Sequence, residues 1–85
     1  MPNEQSTRRI VKPKHLAAKL RAVRDHLGVS QTGMKELLNF NSPYGRISEY
    51  ERGKRQPTIL TLLAYARVAK VPLEEIVDDE LELSI

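Results

Sequence analysis

Apolar residues recur at helical spacing along most of this chain. Leu16, Leu20, Val23 and Leu27 follow at steps of four, three and four, lined by Ala17 and Ala18, which predicts a first helix over about 13–27. Pro13 suits its first turn and Gly28 its end. Ser30 is a good N-cap for a second helix over about 31–38, with Met34, Leu37 and Leu38 on the inner stripe. Gly33 is a poor helix former in its second turn and points to a close approach to another backbone. Phe40, in the turn that follows, is expected to plug the small core. A third helix carries Ile47 and Tyr50 inward and has two possible starts. Ser42 could cap it with Pro43 in the first position, or a turn over Ser42–Gly45 could delay it to about Arg46. It ends near Arg52, with Gly53 as the stop. Thr58 caps a fourth helix with a stripe of Ile59, Leu62, Leu63, Ala66 and Ala69, with Tyr65 at its margin. Pro72 opens a short fifth helix to about Val77 that buries Leu73, Ile76 and Val77. The pattern is all-α until Leu81–Ile85, where apolar and polar residues alternate. That period of two fits either a strand pairing with a second copy of the chain or a frayed tail.

The second and third helices are short, each with one face to bury and a polar face left over. A polar outer face on a short second helix of such a pair is what a major-groove reader requires. Charge supports a polyanionic partner. The net charge is +3, but residues 1–24 hold seven bases against one acid, whereas 57–85 hold two bases against six acids. A polyanion would meet the amino-terminal side and the middle, with the acidic end turned away. Residues 1–12 have no period and read as a flexible basic arm able to follow a DNA groove.

Other chemistries find little support. There is no cysteine, so neither a disulfide nor a thiolate site is available. His15 and His26 lack neighbours at metal-ligand spacing, so no metal or other cofactor is expected. The chain shows no nucleophile with a base and is not expected to be an enzyme. No apolar run is long enough to span a membrane, and no hydrophobic stretch follows Arg8-Arg9, so a soluble, cytoplasmic protein is expected.

Several segments resemble the XRE family of helix-turn-helix regulators, which includes the lambdoid phage repressors and Cro. They are Val29-Ser30-Gln31, Ile47 through Pro57 (ISEYERGKRQP), Thr61-Leu62-Leu63 and Val71 through Ile76 (VPLEEI), and the likeness covers about residues 13–77. It implies a compact five-helix repressor-like domain whose third helix enters the major groove, followed by a short acidic tail over 78–85 that could serve dimerisation. It further implies base contacts from Tyr44, Gly45, Arg46 and Glu49, and phosphate contacts from Gln31, Ser42, Arg52, Lys54 and Arg55. Arg24 and Glu51 match a pair that in the family forms a structural salt bridge between the first and third helices. Three features depart from the family pattern. The stretch between Leu38 and Ile47 is longer than usual. Lys70 stands where a helix-ending glycine is common, which suggests a less sharp end to the fourth helix. Glu49 is acidic: it could accept from cytosine N4, or pair within its helix with Arg46 or Arg52.

The function expected is a sequence-specific double-stranded DNA-binding transcriptional regulator, such as a repressor, acting as a homodimer on a two-fold operator. The alternative is an antitoxin or adaptor that uses the same fold to bind a protein partner, with Asp78–Glu82 as its docking arm.

Overall fold

The computed structural model describes residues 13–38 and 45–85. Among them it forms α1 (Leu16–Leu27), α2 (Gln31–Leu37), α3 (Arg46–Glu51), α4 (Ile59–Ala69) and α5 (Leu73–Val77), with no strand. The fold is all-α. The expected arm over 1–12, the core role of Phe40 and the site roles of Ser42 and Tyr44 lie outside the described residues.

The helices share one core because each contributes a narrow apolar face. Leu20, Val23, Met34, Tyr65 and Ile76 are its most deeply buried large side chains. α1 runs through the centre, packing against α3, α4 and α5, while α2 packs on α3. The outer face of α3 is thereby left uncovered by α1.

Several boundaries and faces differ from the sequence pattern. α1 begins at Leu16 rather than Pro13. His15, at its N-cap position, makes no side-chain cap. Instead the Asp79 carboxylate accepts from the backbone N–H of Lys14 at 2.8 Å and of His15 at 3.1 Å. The start is set from 64 residues away, which no local pattern can show. In α2 the buried pair is Met34 and Leu38, whereas Leu37 is 48 % exposed. With one turn between them, residues i and i+4 fill the inward direction and Leu37 falls to the side. Gly33 does sit in a tight place, but what crowds it is the Val29 side chain, 3.1 Å from where a Cβ would lie.

α3 takes the later of its two possible starts. Gly45 precedes Arg46 with φ +86°, a left-handed conformation that glycine adopts without steric penalty. In α4 the inner face is Thr61, Leu62, Tyr65, Ala66 and Ala69. Tyr65 is fully buried rather than marginal, and Ile59 is 61 % exposed. The small Ala66 and Ala69 allow close approach, and the Tyr65 ring fills what they leave. Lys70 ends α4 sharply after all. It adopts φ +61°, and Val71 N–H donates to the Ala66 carbonyl at 3.0 Å, a left-handed C-terminal turn made by a residue that pays a steric penalty for it.

The carboxyl-terminal segment is neither a strand nor frayed in the single chain. Lys19 Nζ donates to the carbonyls of Glu75, Asp78 and Leu81 at 2.7–2.8 Å, which uses all three ammonium protons. The Glu75 carboxylate accepts from Ser84 N–H and Oγ–H, each at 2.9 Å. Leu83 packs against the core. Residues 78–85 thus lie along α1.

Candidate nucleic-acid interface

Ile47 and Tyr50, both 4 % exposed, fix the inner face of α3. Side chains at 46, 48, 49 and 52 consequently turn to other sides of this short helix. Gly53, with φ +72°, then reverses the chain; Lys54 N–H donates to the Glu49 carbonyl at 2.9 Å, in the manner of a glycine-ended helix. That reversal brings Lys54 and Arg55 back beside α3. Both loop residues are exposed.

The Glu49 carboxylate lies between two arginines. Its Oε1 accepts from Arg55 Nε at 3.0 Å and is 3.5 Å from Arg46 Nε. Arg52 does not join them: its Nε donates to Ser48 Oγ at 3.2 Å, along its own helix. Arg46, Glu49, Lys54 and Arg55 therefore form one surface, with Gly45 at its edge and Arg52 beside it. The Arg55 link was not apparent in the sequence, since the two residues lie on opposite sides of the helix-ending glycine; that glycine was the signal that the loop could fold back.

Gln31 belongs to a different constellation. Arg24 Nε and Nη2 donate to the two Glu51 carboxylate oxygens at 2.7 and 3.0 Å, and Arg24 Nη1 donates to the Val29 carbonyl at 3.1 Å. Gln31 Nε2 donates to the same carboxylate at 3.2 Å. This bidentate pair joins α1 to α3, with its side chains only 14 % and 4 % exposed. The Glu51 hydrogen bond holds the Arg24 pKa above its ordinary value. Through the pair, the start of α2, the end of α1 and α3 share a single polar joint. Gln31 is exposed at the start of α2, and a second amide proton is left to it. The Tyr65 hydroxyl is buried without a hydrogen-bond partner among the described residues. Burial first, and then the nearby Glu51 charge, push its pKa up.

Among the described residues no group of His, Asp or Glu side chains could hold a metal ion, and no helix is long and apolar enough to cross a membrane.

The helix pair, the turn-back at Gly53 and the exposed basic loop find their counterpart in a known family. A family model described as helix-turn-helix, HTH_3, matches residues 20–76. The chain belongs to the XRE-type helix-turn-helix family. No curated protein and no solved structure matches it. For a helix-turn-helix protein, α2 and α3 are the motif's two helices, and this XRE-type chain is accordingly a DNA-binding regulator.

Proposed function

We propose that the protein is a sequence-specific regulator of transcription that binds double-stranded DNA as a homodimer on a two-fold operator in the cytoplasm, acting as a repressor by occupying promoter DNA. The observation that carries this reading is the surface of Arg46, Glu49, Lys54 and Arg55, which joins the outward side of α3 to an exposed basic loop. Such a surface can lay α3 in the major groove while the loop meets the phosphate backbone. Base contacts are assigned to Tyr44, Gly45 and Arg46, with Glu49 beside Arg46 on the same surface. Phosphate contacts are assigned to Gln31, Ser42, Arg52, Lys54 and Arg55.

Ile59 and Leu60, 61 % and 74 % exposed at the start of α4, directly follow the basic loop and offer apolar surface for a two-fold contact. The two-fold contact is assigned to this patch, and two copies of α3 would then meet half-sites about 34 Å apart. The alternative reading, an antitoxin or adaptor docking through 78–82, is less well supported because Asp79 is already engaged by the start of α1.

Selection of bound sites from random DNA tests the proposal. A palindromic consensus is expected, with binding to unrelated DNA that falls steeply as salt rises. Absence of any DNA binding at about 50 mM salt would remove the reading.

A further inference from the structure

The cluster around Glu49 carries an inference beyond the assignment of α3 to the major groove, and it rests on that assignment. A carboxylate on a DNA-facing surface is repelled by phosphate. Here its charge is compensated by two guanidinium groups from different elements, one in the first turn of α3 and one in the loop beyond Gly53. Both contacts fall on Oε1 and both use the arginine Nε. Arginine presents its donors as a planar fork. An Nε contact to Glu49 leaves the Nη1 and Nη2 ends of Arg46 and Arg55 pointing onward. That pair of donors matches guanine O6 and N7 in the major groove, and also a phosphate.

We propose that Glu49 is a positioning residue: it holds Arg46 as the reader of a guanine and Arg55 as a phosphate contact, and couples the two. Oε1 is taken up by both arginines, so the role assigned to Glu49 is to hold them rather than to accept from cytosine N4. Removing the carboxylate leaves two unrestrained cations, which bind any DNA more readily and read guanine less well. Glu49 therefore suppresses indiscriminate binding as well as sharpening recognition. Part of the cost of ordering two long side chains is met before DNA arrives.

The test compares the full chain with its Glu49→Ala, Glu49→Gln, Arg46→Ala and Glu49→Ala/Arg46→Ala variants on the selected operator, on operators changed one base pair at a time, and on unrelated DNA. Thermal melting of each variant establishes that it is folded. Arg46→Ala is expected to erase preference at one G·C pair. Glu49→Ala should weaken preference at that same pair by about tenfold, tighten binding to unrelated DNA, and steepen the salt dependence by about one unit of log–log slope. Glu49→Gln should fall between it and the wild type. At that base pair the double variant should discriminate no less than Arg46→Ala alone, since Glu49 acts there through Arg46. Loss of preference in Glu49→Ala at a different base pair would make Glu49 itself the reader and overturn the proposal. So would independent, multiplying losses, or an Arg46→Ala variant with unchanged preferences. A wild-type chain that binds no DNA would instead fail the functional reading beneath it.

Discussion

Arg24 commits three of its five N–H donors within the protein, two on Glu51 and one on the Val29 carbonyl. Removing it takes the counter-charge from a carboxylate that is 4 % exposed and leaves it the Gln31 amide. Loss of one partner of such a buried pair costs about 3–5 kcal/mol. Arg24→Met should accordingly lower the melting temperature by more than about 10 °C, and an unchanged melting curve would show that the pair contributes nothing. Tyr65 presents the opposite case. Its hydroxyl is buried and unpaired among the described residues, so Tyr65→Phe removes an unfavourable group and keeps the ring. Denaturant unfolding should find that variant as stable as the wild type or more so by up to about 1 kcal/mol. A loss of 1 kcal/mol or so would reveal a partner such as a buried water.

Helix ends show how element geometry draws on distant or strained residues. Lys70 holds the left-handed position that closes α4, so Lys70→Gly should stabilise the fold by about 1 kcal/mol, read as a higher urea midpoint with unchanged slope. Asp79 closes the other kind of end, capping α1. The Lys14 and His15 backbone hydrogen bonds hold its pKa below the ordinary carboxylate value. A depressed carboxylate adds stability above its unfolded pKa and loses it as pH falls through the folded one. Asp79→Asn should therefore melt lower than the wild type at pH 7, and the gap should close below about pH 4. A gap that persists at pH 2 would mean the carboxylate charge is not the source.

At the scale of the molecule, the exposed Ile59 and Leu60 bear on assembly. Leu60→Lys should shift a dimer toward monomer in sedimentation analysis while leaving the monomer fold intact, whereas Ile85→Lys should not. The reverse outcome would place the dimer contact on the tail. The fold class and the α3 region were legible in the sequence because periodicity records which residues face inward: Leu20, Val23, Met34, Ile47 and Tyr50 all carry that signal. The inward turn of Tyr65 and the exposure of Ile59 were not, since a helix apolar nearly all round leaves its rotation to its neighbours. Asp79 on α1, Lys19 on the tail and Arg55 on Glu49 were also hidden, because each joins residues that no local spacing relates.

The Asp79 cap also ties the two ends of the domain into one opening event. Lys14 and His15 donate their amide protons to a side chain at the far end of the chain, so those protons exchange with solvent only when that carboxylate lets go. Hydrogen exchange at Lys14 and His15 would therefore report how often the last eight residues lift away. A single Lys19→Met change, which removes the ammonium holding that segment, would quicken both.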